Sequence, residues 1–529
     1  MTLAVSSAAT PSRPSLLVIV VVDGLSWDRL QAWRSAWTGG LAELLAQGHV
    51  AARTHYAHLN TETCPGHAAL STGAAPRVTG IVGNVWYREG QRVSCVAEAP
   101  GRVGPATLHV DGLGDVLGPG ARVVSLSGKD RAAIMLAGRG RKHAAFWLDL
   151  EDGRFVTSEA YDRAAPVVAA VQAIVERPGP LRKQGLWERL PGEMRVPVVP
   201  AHTLAMRQFP ELGLGFPHDP ALHPNGVFEG LVHSPAIDLA LTDLALAVLS
   251  DPALKLGRSG GTDLLALSYS GPDNVAHDYG DGSEEHLDTL RRLDRELGRL
   301  LQTLRARPTG SVLLALSADH GFLPADAPFQ QRLETSGERS AIAALNAVLR
   351  AQLCLPPGAK PVAGMASWHL YFDPAAGSAT TGAACGPPRP LREALVAAVP
   401  EAMRSLWPDA VASVVERGAS VPVELRSFVE NATYAGRSGD LLVFPQPGAL
   451  SHWDPARAWG HGSHHAYDTH VPLIFWGAGV PAGCSDAPAT PYDLAPTLAA
   501  FTGARLPQAM GRSLGDEIAK SAGRVCSSK

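Results

Sequence analysis

SLLVIVVVDG (residues 15–24) decides the fold. Its seven apolar residues, Leu16 to Val22, run without a polar break and stop at Asp23 and Gly24, far short of a membrane span. A short, β-branched, uninterrupted run reads as a strand covered on both faces. Three further stretches share the pattern: TDLLALSYSGPD (262–273), GSVLLALSADHG (310–321) and DTHVPLIFWG (468–477). Between them LDTLRRLDRELGRLLQTL (287–304) repeats Leu at threes and fours, the spacing of an amphipathic helix. Alternating strands and helices predict an α/β three-layer sandwich with a mostly parallel central sheet. Ligands in such folds bind beyond the carboxyl ends of the strands, where the polar clusters stand.

Two stretches interrupt the rhythm with Gly, Pro and turn signals, 86–235 and 322–435. They read as insertions building the rim of the site, the second a cap, around a core of 15–85, 236–321 and 436–515. SGERSAIAALNAVLRAQL (336–353) is expected as a helix inside the cap, and TTGAACGPPRP (380–390) as an exposed loop. No repeat, heptad, polybasic tract or P-loop is present.

With 529 residues, 46% of them hydrophobic, the chain can bury a large core. Lys plus Arg total 46 against 50 Asp plus Glu, so no overall field favours nucleic acid, and any phosphate preference is local. Six dispersed cysteines form no CxxC pair and no disulfide scaffold, leaving room for one or two disulfides. Residues 1–9 resemble the end of a secretion signal without its basic leader, which leaves export, the favoured reading, beside a cytoplasmic location.

Asp23, Asp273, His277, Asp319 and His320 follow apolar strands, and His461 stands in WGHGSHHAYDTH ahead of the last one. An Asp or His at a strand end also caps a neighbouring turn, and for one residue alone that reading serves as well. Six together supply two three-ligand sets, what a pair of catalytic zinc ions with open positions needs. The four-residue step from Asp273 to His277 puts both on one helical face. Asp319 and His320 leave the pleat together, aided by Gly321.

In NTETCPGHAALSTG (60–73), Pro65 suits the first turn of a helix and Thr63 or Cys64 its cap. Thr63 then sits at the positive end of a helix dipole, where phosphate gains from free N–H groups. Taken alone, Thr63 is as well explained as a simple cap.

The windows VVDGLSWD, TETCPGHAALSTG, GIVGNVWY, SLSGKDRAAIMLAG, SYSGPDNVAHDYG, LSADHG, RSGDLLV and HGSHHAYDTHVPLIFWG, in this order, resemble the alkaline phosphatase superfamily. Within it they are similar to bacterial threonine-nucleophile alkaline phosphatases, relatives of the nucleotide pyrophosphatase/phosphodiesterases. The resemblance spans about 15–505. It implies two Zn2+ ions, one held by Asp273, His277 and His461 and the other by Asp23, Asp319 and His320 beside Thr63. It further implies Thr63 as nucleophile, a covalent phospho-threonine and hydrolysis of a small phosphate monoester. Asn84 matches a position whose amide donates to a phosphate oxygen, and Lys129 and Arg131 match a Lys-x-Arg pair contacting a dianionic phosphoryl group. Two cations favour a monoester, which carries one more negative charge than a diester.

Other residues are set aside. His464, His465 and His470 read as supporting groups, with His470 oriented by Asp468, and His67 as packed against the sheet. Cys64 lacks the Arg of the sulfatase pattern. Glu62 departs from the neutral neighbours expected beside a phosphate site. The rival readings are a phosphodiesterase or nucleotide pyrophosphatase with the same two-zinc site, a non-catalytic metal-binding protein, and a phosphomutase. His-rich coordination favours zinc over magnesium. Oligomeric state is left open.

Overall fold

The computed structural model describes residues 13–99, 101–177, 185–192, 196–199, 215–308, 310–325, 331–332, 337–450 and 459–526. Nine strands form the central sheet, in the order Gly483–Ala489, His49–Thr54, Leu473–Gly477, Val312–Ser317, Leu16–Val22, Asp263–Tyr269, Val123–Ser127, Ala144–Leu148 and Phe155–Val156. Leu16–Val22 lies near the centre, paired in parallel with Asp263–Tyr269 on one side and Val312–Ser317 on the other.

The unbroken apolar runs are explained by what covers them. Leu16, Val18, Val20 and Val22 point into one core, while Leu17, Ile19 and Val21 point into another. The first core is filled by the leucines of the 22-residue helix Glu284–Arg305, among them Leu290, Leu297 and Leu301. The second takes Leu494 and Leu498 of the helix Leu494–Thr502 and Leu70 of the helix Thr63–Thr72. Helices on both faces leave no polar face for the strands to alternate toward.

Three features correct or add to the expectations. First, within a sheet that is mostly parallel, as expected, the fourth run, Leu473–Gly477, pairs antiparallel with Val312–Ser317. A strand running backwards begins where its neighbours end; residues preceding it therefore lie at the carboxyl edge. That is why His461 precedes its strand while the other five candidates follow theirs. Secondly, 86–235 is more than a rim insertion: Val123–Ser127, Ala144–Leu148 and Phe155–Val156 extend the central sheet. Their short apolar runs are diluted by Gly-rich connections, which hid them. Thirdly, all six cysteines pair, as Cys64–Cys95, Cys354–Cys385 and Cys484–Cys526. Sequence spacing carries no information on which cysteines meet in space.

The stretch from Gly337 to Pro445 builds a second unit with its own core. It holds a four-stranded sheet ordered Val362–Ala366, His369–Phe372, Leu441–Pro445 and Val411–Glu416, backed by the helices Gly337–Gln352 and Leu391–Leu406. Leu441–Pro445 lies within the stretch assigned to the core from residue 436, yet its partners are cap strands. Ala383–Cys385 forms a 3-10 turn inside the expected loop. Among the described residues no helix is long and apolar enough to cross a membrane. The leader-like residues 1–9 lie outside the described residues.

Candidate active site

Three adjacent strand ends deliver most of the site. Asp23 ends the central strand, Asp273 opens the helix Gly271–Tyr279 after its neighbour, and Asp319 and His320 follow the strand on the other side. Gly321 makes the next step: a Cβ there would lie 2.0 Å from the carbonyl oxygen of Tyr467. This close approach is sealed by backbone bonds from Gly321 N to Asp468 O at 2.7 Å and from Phe322 N to Tyr467 O at 3.0 Å. It draws the loop carrying His461 over the sheet edge.

The six candidates form two sets of donor atoms. Oδ1 of Asp273 lies 3.4 Å from Nε2 of His277 and 3.4 Å from Nε2 of His461. Nε2 of His320 lies 3.4 Å from Oδ1 of Asp23 and 3.4 Å from Oδ2 of Asp319. Ligands on a tetrahedron with bonds of about 2.0–2.2 Å stand roughly 3.3–3.6 Å apart, so the spacing suits zinc. Asp273, His320 and His461 also fall within 4.8 Å of one another, because the rings of His320 and His461 stack with centroids 3.5 Å apart. The two sets are thus immediate neighbours.

Each imidazole has its tautomer fixed. Nδ1 donates to a backbone carbonyl in all three: His277 to Trp459 at 2.8 Å, His461 to Thr61 at 2.9 Å and His320 to Gly321 at 2.9 Å. With the proton on Nδ1, Nε2 presents its lone pair to the site. Oδ1 of Asp23, Oδ1 of Asp273, Oδ2 of Asp319 and Nε2 of His320 are buried with no hydrogen-bond partner. Four orphaned acceptors facing one space are costly unless cations meet them. The residues present therefore fit bound metal.

Charge makes the same demand. Burial raises Asp23 well above the usual carboxylate range, assisted by Asp319 and Asp273 and opposed by Lys129. Burial also acts against ionisation of Asp273, yet Lys129 and then His277 hold it well below that range. For His461, burial depresses the imidazole to about 3, with His320 adding to it, which leaves a neutral ligand. Lys129 Nζ sits 2.7 Å from Oδ2 of Asp23 and 2.5 Å from Oδ2 of Asp273, one carboxylate of each set. Burial works against its proton, but the two carboxylates outweigh burial and keep it charged.

Thr63 is the first residue of the helix Thr63–Thr72, whose ten residues are all buried. The cap is Glu62, not Thr63 or Cys64, and its side chain makes no capping bond. Instead Oδ1 of Asn84 accepts the N–H of Cys64 at 2.8 Å, which commits the carboxamide and leaves Nδ2 as its donor. Gly66 allows the helix to touch the strand end: a Cβ there would lie 2.1 Å from Asp319 O. His67, packed on the sheet through Ser268 at 2.7 Å, also meets Asp319 Oδ2 at 3.2 Å. Arg131 follows Lys129 at the start of the helix Asp130–Ala137, its Nε buried without a partner.

Among the histidines set aside, His464 packs edge-on against Phe428 and Phe444 of the cap, and His465 bonds Pro445 O. His470 is not oriented by Asp468: it stacks on His55 and reaches Ala52 O, while Asp468 accepts from Gly462 and Ser463. Sequence reasoning missed the three carbonyls that set the tautomers, since backbone groups leave no trace in residue type. It also missed the Cys64–Cys95 bond beside Thr63.

The model of the type I phosphodiesterase / nucleotide pyrophosphatase family matches residues 17–468. The chain is 31% identical to alkaline phosphatase PhoK of Sphingomonas sp, over 94% of this chain and 89% of that protein. It is 27% identical to alkaline phosphatase PafA of Elizabethkingia meningoseptica, over 96% and 95%. The crystal structure of wild-type PafA matches with a TM-score of 0.75 at 26% identity, covering 98% of this chain and all of that one. A solved PafA variant with a Thr, an Asn, a Lys and an Arg replaced matches at a TM-score of 0.74 and 25% identity. Its Thr and Asn stand 21 positions apart and its Lys and Arg two apart, the spacings of Thr63 to Asn84 and of Lys129 to Arg131 here.

Proposed function

The chain belongs to the type I phosphodiesterase / nucleotide pyrophosphatase family, and from that premise we propose that it is an alkaline phosphatase hydrolysing small phosphate monoesters through a phospho-Thr63 intermediate. The observation that carries the proposal is the pair of donor sets, each with 3.4 Å spacings and lone pairs turned inward, next to the N-terminus of the Thr63 helix. In this reading Asp273, His277 and His461 hold one zinc, and Asp23, Asp319 and His320 the other. His277 belongs with Asp273 because the two share a helical face, and His320 is already engaged by Asp23 and Asp319. Bound zinc supplies Lewis acidity, lowering the pKa of a coordinated hydroxyl or water and offsetting charge that develops on phosphoryl oxygens.

The chain's own residues do the rest. Thr63 gives up its hydroxyl proton to solvent as Oγ1 bonds to phosphorus and the bond to the ester oxygen breaks, the leaving oxygen taking the electron pair and then a proton. Water then attacks phosphorus, the bond to Thr63 Oγ1 breaks and Oγ1 is reprotonated, with net retention. Asn84 Nδ2, fixed by the bond from Cys64 N–H to its Oδ1, is aimed to donate to a non-bridging oxygen. Lys129 and Arg131 meet the two negative charges of a monoester. The equal spacing of the four residues replaced in the PafA variant, and the relatives' alkaline phosphatase names, support these roles.

A second reading, diester or pyrophosphate hydrolysis, is favoured by the family description alone. Comparing rates for an aryl phosphate monoester and a bis-aryl diester tests the choice: the monoester is expected to be faster, and faster diester cleavage overturns it. Pairing of all six cysteines supports an oxidising compartment, hence export to the periplasm or beyond.

A further inference from the structure

Glu62 precedes the nucleophile, and a carboxylate there is unfavourable for binding a phosphate dianion. Its side chain is turned to another use. Oε2 of Glu62 accepts the backbone N–H of Asn84 at 2.8 Å and the hydroxyl of Ser367 at 2.7 Å. Gly462, next to His461, lies against the stem of Glu62: a Cβ on Gly462 would sit 3.8 Å from Glu62 Cγ.

Ser367 comes from the cap. It and Trp368 form the two-residue turn between Val362–Ala366 and His369–Phe372, with Ala366 paired to His369. Both residues have positive φ, 51° and 63°, a conformation hairpin turns assign to Asn and Gly. Non-glycine residues persist there only where their surroundings over-determine them, and such strain gathers at functional sites. Trp368 is buried, and a Cβ on Gly83 would lie 2.4 Å from Ser367 Oγ, so the turn is pressed onto the segment that carries Asn84.

We infer that Glu62 and Ser367 are positioning residues: the cap turn holds the Glu62 carboxylate, which holds the Asn84 backbone, so that the Asn84 amide is aimed at the phosphoryl group. The chain of contacts is continuous, from Ser367 Oγ to Glu62 Oε2 to Asn84 N, and from Asn84 Oδ1 back to Cys64 N beside Thr63. What Glu62 contributes is an acceptor oxygen, not its charge. Both donors reach the same oxygen, so a Gln carbonyl oxygen in that place could accept both. The inference rests on the phosphomonoesterase reading above.

The test measures kcat and KM for an aryl phosphate monoester in Glu62→Ala, Ser367→Ala, Glu62→Gln and Asn84→Ala, with zinc content and melting temperature followed in parallel. Misplacing one phosphate donor costs on the order of tenfold to a hundredfold in rate. Glu62→Ala and Ser367→Ala are expected to lose about tenfold or more, chiefly in kcat, with zinc content unchanged. Glu62→Gln stays within about threefold of wild type. In an Asn84→Ala background, Glu62→Ala costs less than about twofold further, since both act through one amide. Equal losses in the Gln and Ala variants, or a full additional loss in the Asn84→Ala background, would overturn the inference. Should Glu62→Ala not fold, Ser367→Ala combined with Asn84→Ala carries the same comparison. Thr63→Ala in the same series separates the two claims, because retained turnover there refutes the nucleophile assignment whatever Glu62 does.

Discussion

Lys129 Nζ stands 2.5 Å from Oδ2 of Asp273, and the same ammonium is 2.7 Å from Asp23 on the opposite ligand set. The cation is therefore anchored by one oxygen of each of two carboxylates whose other oxygens belong to the proposed ligand sets. In the proposed reading, this anchoring lets it present charge to a phosphoryl group without rotamer searching. Removing it takes away an interaction stronger for a dianion than for a monoanion. Lys129→Ala is expected to lower kcat/KM for an aryl monoester by about a hundredfold, and for a diester by much less. Rates for both esters check this; an unchanged monoester to diester ratio would contradict it.

Metal removal has two readouts. The four orphaned buried acceptors predict that chelation abolishes activity and that added zinc restores it. Because the ion binds only the folded chain, zinc at about a hundred times its Kd adds about 2.7 kcal/mol per site. Melting curves across a zinc titration follow this, and a melting temperature indifferent to zinc would count against the two ligand sets.

His233 is expected to give the fold an alkaline limit. Burial pushes its imidazole down, but Asp278 at 2.5 Å, aided by Glu229, outweighs burial and lifts it from the ordinary 6.5 to about 9. A group whose folded pKa is raised contributes fully below its unfolded value and loses that contribution as pH rises through the folded one. Stability against urea should therefore decline between about pH 6.5 and pH 9, and His233→Gln should flatten that decline. An unaltered slope in the variant would refute the assignment.

The Cys484–Cys526 bond ties Cys526 to the edge strand Gly483–Ala489 across a sequence separation of 42. Chain-entropy arguments put closure of such a loop at about 3–4 kcal/mol. Replacing both cysteines by Ser should lower unfolding free energy by that order and leave kcat near wild type, since the bond lies away from the ligand residues in sequence and strand order. Denaturant unfolding checks the first part and steady-state kinetics the second.

How far the residues alone speak is seen in particular positions. Asp23, Asp273, Asp319 and His320 are legible because each terminates an apolar run, and a parallel sheet gathers such ends along one edge. The helix Glu284–Arg305 is legible from its leucines. The direction of Leu473–Gly477 is not, because an apolar run covered on both faces reads the same in either sense. Strands at 123–127 and 144–148 are hidden by their brevity. The partnership of Glu62 with Ser367 spans 305 residues and depends on a cap whose docking no local pattern announces.

The central claim is that Thr63 is the group that takes the phosphate. The most direct measurement is turnover of a phosphate monoester by Thr63→Ala, in protein shown to be folded and to hold its zinc. The account predicts a fall of about a thousandfold or more; turnover within twofold or so of wild type would contradict it.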